Sequence, residues 1–134
     1  AEAAGVALCL EPVFGHAVAT PAAMRDLIRD MASSSLGVVL DPVNLVDPRS
    51  LEEAWAPALE AAELLGGSIM AVHVKDCSII EGGKAAARIG AGFMDWERIV
   101  PAIAAAAPRA PFIIEDQDAA GMASGLELLR SILG

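Results

Sequence analysis

Four short apolar runs punctuate the chain: VALCLE (6–11), LGVVLD (36–41), SIMAVHVKD (68–76) and PFIIED (111–116). None alternates strictly between apolar and polar positions, the pattern expected of parallel strands covered on both faces. The segments between them carry apolar residues at helical spacing. Thr20 followed by Pro21 predicts an N-cap and first helical residue for AAMRDLIRDMA. Ser50 with Glu53 predicts a capping box that opens a helix through LEEAWAPALEAAELL, ended by Gly66 and Gly67. Asp95 predicts the cap of WERIVPAIAAAA, in which Pro101 should kink or weaken the helix. A last helix is predicted from about Ala120 or Gly121 to Leu133, and residues 77–94 are predicted as a long loop. Strand and helix repeated four times predict an α/β fold with right-handed parallel crossovers, in a single segment over 1–134.

Each apolar run ends in a residue able to bind a metal or move a proton: Glu11, Asp41, His73 and Glu115. Their separations of 30, 32 and 42 residues are close to one βα unit each, with the excess in the loop after Cys77. In a parallel sheet or barrel such strand ends lie on one rim, where four side chains can converge. Two glutamates, an aspartate and an imidazole form a sulfur-free donor set suited to one divalent ion such as Mn²⁺, Mg²⁺, Co²⁺ or Zn²⁺. Taken singly, each has a plainer reading. A lone strand histidine is usually satisfied by a hydrogen bond, carboxylates after strands cap helices, and Asp41-Pro42 can start a turn.

Composition narrows the partners. A content of 55% hydrophobic residues in 134 argues for a packed core, and a formal charge of −9, from 18 acidic and 9 basic residues, would repel a phosphate backbone. No nucleic-acid partner is expected. Apolar stretches are broken well before the ~18 residues of a membrane helix, so no membrane partner is expected either. Cys9 and Cys77 lack the spacing of a zinc or redox motif, which fits reduced thiols in a cytoplasmic protein. Trp55 and Trp96 fall on helices and are expected to pack against the sheet. His16 lies in the loop after the first strand, at the rim, from which it could reach a substrate or stand in solvent.

LCLEPV, VVLDPVN, AVHVKD, RIGAGFMDW and FIIED, in that order, resemble the C-terminal half of the xylose isomerase-like barrels, specifically the sugar-phosphate isomerase/epimerase group. The resemblance covers almost the whole chain. It implies a (β/α)8 TIM barrel, of which about four βα units are present here. It implies one divalent metal held by Glu11, Asp41, His73 and Glu115. In relatives the two metal-bound glutamates flank the substrate, so Glu11 and Glu115 are implied as paired acid/base residues. The implied reaction is isomerisation or epimerisation of a sugar, sugar phosphate or polyol-derived substrate, through proton abstraction beside a carbonyl. Asn44 stands where relatives often carry a substrate-touching histidine; an amide hydrogen-bonds hydroxyls but cannot titrate. Lys75 is implied for substrate oxygens or phosphate, with a solvated loop charge as the alternative. Asp76 is implied for orienting its neighbours, and Gly90-Ala91-Gly92 for a turn near a ligand.

A full barrel needs eight units and ~200 to 250 residues. The expected partner is therefore a missing N-terminal half barrel, or a second copy that closes the barrel. Other readings of the same residues are a metal-dependent dehydratase or an endonuclease IV-like enzyme on this scaffold, a non-catalytic barrel module, and a small flavodoxin-like or receiver-type sheet. Negative charge and only two histidines weigh against the endonuclease.

Overall fold

The structure, a computed structural model, describes every residue of the chain except Gly82. Four parallel strands, β1 (Leu8–Leu10), β2 (Leu36–Leu40), β3 (Ile69–Val74) and β6 (Phe112–Ile114), form one sheet in the order β1-β2-β3-β6. Helices α1 (Pro21–Met31), α2 (Ala56–Leu65) and α3 (Trp96–Ala106) follow β1, β2 and the β3 unit, and α4 (Ala119–Leu133) closes the chain. Each helix packs on the next, α1 on α2, α2 on α3 and α3 on α4. Each strand of the main sheet lies beside its predecessor, without the reversal that defines a doubly wound sheet. That order belongs to a barrel wall and excludes the flavodoxin-like alternative. This is an α/β chain with a four-stranded parallel sheet, about half of a TIM barrel.

Alternation along the strands divides the sheet into two faces. Val38, Leu40, Val72 and Val74 are fully buried beneath the helices, against Met24, Ala58, Ala61, Ile99, Val100 and Ile103. The other face carries Cys9 beside Gly37, Val39 beside Ala71, and His73 beside Ile113. A register shift separates the pair Val38 and Ile69 from the pair Val39 and Ala71, leaving Met70 as an extra residue. Such a bulge reverses which face the following side chains take. Ile69 is thereby in the core while His73 stands on the open face.

The helix starts follow local chemistry. Thr20 accepts from the Ala23 N–H and Asp95 from the Arg98 N–H, as predicted. α3 runs through Pro101, which lies on its exposed side. The Ser50 capping box does not form: α2 begins at Ala56, and residues 51–55 make turns. Pro57 falls in the first turn of α2, where its missing N–H costs no hydrogen bond. α4 starts at Ala119, slightly ahead of expectation, because Asp118 accepts from the Gly121 N–H at 2.7 Å.

The larger departure is the predicted loop after Cys77. It contains an antiparallel hairpin, β4 (Asp76–Ile80) paired with β5 (Gly83–Ala87), standing on the C-terminal rim of the main sheet. Gly-Gly-Lys and three alanines carry little strand preference, so the hairpin has no strong signature of its own. Its base is fixed by Asp76. This fully buried carboxylate accepts backbone N–H groups from Cys77 (2.9 Å), Gly90 (3.0 Å), Gly92 (3.2 Å) and Met94 (3.3 Å). A Cβ on Gly92 would collide with that carboxylate, and Gly90 has a φ of 84°, so both glycines serve the turn around Asp76.

Candidate metal centre

β1 ends at Leu10, and Glu11 follows before the buried Pro12, which restricts the backbone as the strand leaves the sheet. β2 delivers Asp41 in the same way before Pro42, and a single 3-10 turn over Val43–Leu45 then brings the Asn44 N–H to 3.2 Å from Asp41 Oδ1. The Asn44 side chain donates to Glu11 Oε1. The carbonyl of Asn44 accepts the Phe14 N–H at 2.7 Å, so this residue ties the rims of β1 and β2 together through two bonds, its own N–H being held by Asp41.

Glu11, Asp41 and His73 each present a ligand atom, all within 4.8 Å of one another. Glu115 stands outside this trio but joins it through His73, whose Nδ1 lies 3.1 Å from Glu115 Oε1 and 3.9 Å from Glu11 Oε2. The structure thus brings together all four expected strand-end groups. Glu11 and Glu115 remain about one-third exposed, whereas Asp41 is sealed.

Lys75 lies within the cluster. Its Nζ is 2.7 Å from Asp41 Oδ2, 3.6 Å from an Asp116 oxygen and 3.8 Å from Glu115 Oε2, with the side chain 14% exposed. The ammonium is near enough to pair with Asp41, yet Oδ2 is buried without a well-directed hydrogen-bond donor. Burial pushes the Asp41 carboxyl above the usual carboxylate range, against the pull of Lys75 and the Asn44 amide. Burial pulls the Lys75 ammonium down, but Asp41, Asp116 and Glu115 outweigh it and hold Lys75 above the ordinary lysine value. A buried carboxylate oxygen without a directed donor, beside one more carboxylate and an imidazole, fits a divalent cation in charge and donor type.

Other expected residues occupy different situations. The Asp76 side chain is bonded to four backbone amides, and burial raises its carboxyl while those amides pull it down. His16 is exposed in the loop after β1, tied down by its backbone N–H to Val13 O. Trp96 is buried in the core, and Trp55 is partly buried with the Arg98 guanidinium 4.7 Å above its ring. Both cysteines are free thiols.

Two rim residues had no clear mark in the sequence. Asp116 adopts a φ of 54°, a left-handed conformation that aspartate tolerates better than most residues. This places its carboxylate near Lys75 directly after Glu115. Lys84, on β5, donates to Val43 O at 2.7 Å and Val46 O at 3.1 Å, and burial lowers its pKa. A lone lysine among glycine and alanine was the only available hint.

None of the helices among the described residues is long and apolar enough to cross a membrane. A family model described as a xylose isomerase-like TIM barrel matches residues 1–132. No curated protein matches the sequence significantly. Among solved structures, the chain is similar to a xylose isomerase domain protein from Planctomyces limnophilus, with a TM-score of 0.75 and 22% identity over 98% of this chain and 46% of that one. A xylose isomerase-like TIM barrel protein from Mycobacterium smegmatis, in complex with magnesium, gives 0.71 and 19% over 98% and 45%. The D-psicose 3-epimerase from Clostridium cellulolyticum H10, with D-tagatose, gives 0.68 and 18% over 98% and 51%. The chain spans about half the length of the solved structures it matches, and these similarities concern the fold. With the family match running from the first residue to the last helix, the chain belongs to the xylose isomerase-like TIM barrel family.

Proposed function

We propose that the protein is a divalent-metal-dependent isomerase or epimerase of a sugar, sugar phosphate or polyol-derived substrate. The observation that carries this reading is the convergence of Glu11, Asp41 and His73 within 4.8 Å, with Glu115 3.1 Å from the imidazole Nδ1. Epimerases among the structures of the same fold, and magnesium in a further structure of that fold, support it. Glu11, Asp41, His73 and Glu115 would hold one ion, Mn²⁺, Mg²⁺, Co²⁺ or Zn²⁺. When bound, such an ion supplies positive charge beside a substrate carbonyl.

The chain's own groups then move the proton. One of the two partly exposed glutamates, Glu115, takes the proton from the carbon next to the carbonyl, and the C–H electron pair moves toward the carbonyl to give an enediolate. Glu11 returns a proton to the opposite face, and an epimer results; return to the former carbonyl carbon, with the hydroxyl proton passing to the other oxygen, gives the isomer. Asp41, in its buried position, holds rather than transfers. Asn44 fixes Glu11 through its side-chain amide and leaves hydrogen-bonding capacity for a hydroxyl. Lys75, and at longer range His16, are the groups of this rim suited to substrate oxygens, while Asp76 orients the 90–94 turn beneath them. The open sheet face and the edge strands β1 and β6 would close against a second half barrel, supplied by an N-terminal half or by a second copy.

The test is metal-dependent exchange of the substrate α-proton with deuterated solvent. Glu115→Gln should slow exchange by roughly 10²- to 10⁴-fold, the contribution of a positioned acid or base. Exchange that continues at the wild-type rate would falsify the role of Glu115, and loss of water in place of proton return would point to a dehydratase.

A further inference from the structure

Lys84 belongs to none of the four strand ends, yet it is bound to the loop that carries one of them. Its ammonium donates to Val43 O and Val46 O, the carbonyls on either side of Asn44, and rests 6.0 Å from the Phe93 ring centroid. Asn44 in turn donates its N–H to Asp41 Oδ1, donates its side-chain amide to Glu11 Oε1, and accepts the Phe14 N–H. One cation on the hairpin therefore clasps a four-residue turn in which Asn44 bonds two carboxylates, Asp41 through its backbone N–H and Glu11 through its side chain. The hairpin is itself seated by Asp76, so the clasp has a rigid anchor on its other side. The turn is itself largely buried, with Val43, Leu45 and Val46 in the core, so the partly buried Lys84 ammonium satisfies two of its carbonyls and ties it to the hairpin.

We propose that Lys84 is a positioning residue, which locks the Val43–Val46 turn and through Asn44 sets Asp41 and Glu11 at their mutual distance. The proposal rests on the metal-dependent reading of the site, and deepens it. Groups that orient metal ligands from behind typically change affinity by about 10- to 100-fold when removed. Lys84 touches neither ligand directly, which places the expected effect at the lower end of that range.

The experiment compares wild type, Lys84→Met and Lys84→Arg in the full natural chain, with Mn²⁺ alone as the probe. Amide hydrogen exchange is followed at Asn44 and Phe14, and at Val38 and Val72 as core references. Lys84→Met should exchange Asn44 and Phe14 about tenfold faster with the core amides unchanged, and should bind Mn²⁺ about tenfold more weakly. Lys84→Arg, which can also donate to two carbonyls, should restore both quantities to within about threefold. Unchanged exchange at Asn44 and Phe14, acceleration spread equally to the core amides, or equal Mn²⁺ affinity in Lys84→Met and wild type each overturns the proposal. If wild type itself takes up no Mn²⁺, the metal reading of the site falls, and the exchange at Asn44 and Phe14 alone decides whether the clasp exists.

Discussion

The two ends of the same four strands are built from different materials. At the C-terminal end, Glu11, Asp41, His73, Lys75 and Glu115 meet across β1, β2, β3 and β6 through side-chain hydrogen bonds and ion pairs. At the N-terminal end close packing takes the place of such a network. Gly37 lies against the Met70 side chain, Gly66 against Ala106, and a cleft of about 480 Å³ opens between the segments that follow α2 and α3. One end buries charges that a packed core would reject; the other is held by close backbone approach. The contrast teaches where to look for function in such a wall. Buried charge collects where the strands point, and the opposite end is held mainly by packing, with one exposed hydrogen bond from Ser33 to Glu2 joining the segments before β2 and β1.

Asp76 is the sharpest challenge to that division, being a rim carboxylate fully engaged with backbone. Asp76→Ala should leave four N–H groups without their acceptor and cost at least ~3 kcal/mol in denaturant unfolding. A loss under ~1 kcal/mol would mean that water replaces the carboxylate and that the hairpin does not depend on it. His73→Ala tests the opposite class of rim residue. Wild type should gain about 2.7 kcal/mol of stability from Mn²⁺ at a hundred times its Kd, and the variant should gain nothing, as read from melting with and without the ion. A variant that responds like wild type would remove His73 from the ligand set.

At the other end, Gly66→Val would press a side chain onto the Ala106 carbonyl, 2.9 Å from the position of its Cβ. About 1–3 kcal/mol of stability should be lost while Mn²⁺ affinity stays within about twofold, since the strain is remote from the rim. Coupling of the two quantities would erase the distinction between the ends. The smallest effect concerns pH. The Asp41 carboxyl is raised by burial, so the folded state holds its proton more tightly than the unfolded state does. Its contribution to stability is complete below the ordinary carboxylate value and is lost as pH rises through the raised one. Lys75 limits that loss. Lys75→Met should therefore lose more stability than wild type as pH rises above the ordinary carboxylate value without metal, by about 1.4 kcal/mol for every tenfold by which the folded Asp41 carboxyl tightens its hold on the proton. Parallel pH curves would show that Lys75 does not compensate Asp41.

The legible part of this protein was periodic. A strand-terminal polar residue once per βα unit announces a rim, and Glu11, Asp41, His73 and Glu115 could be picked from spacing because each unit repeats the same geometry. The Thr20 and Asp95 caps were legible for a similar reason, since a cap acts within one turn. Ser50 misled because the capping pattern says nothing of the turns that follow it, after which α2 begins at Ala56 with Pro57 in its first turn. The hairpin escaped because its partners are distant: Asp76 reaches amides 14 to 18 residues away, and Lys84 reaches carbonyls 38 and 41 residues away.

What the chain determined by itself was therefore the alternation of strand and helix and the chemistry presented at each strand end, both governed by interactions within one unit. The tertiary structure decided the rest. The bulge at Met70 selects the face His73 takes, the Lys75 ammonium settles beside Asp41, and Asn44 and Lys84 join loops from separate units. These depend on distances between residues far apart along the chain, which exist only once the sheet has assembled.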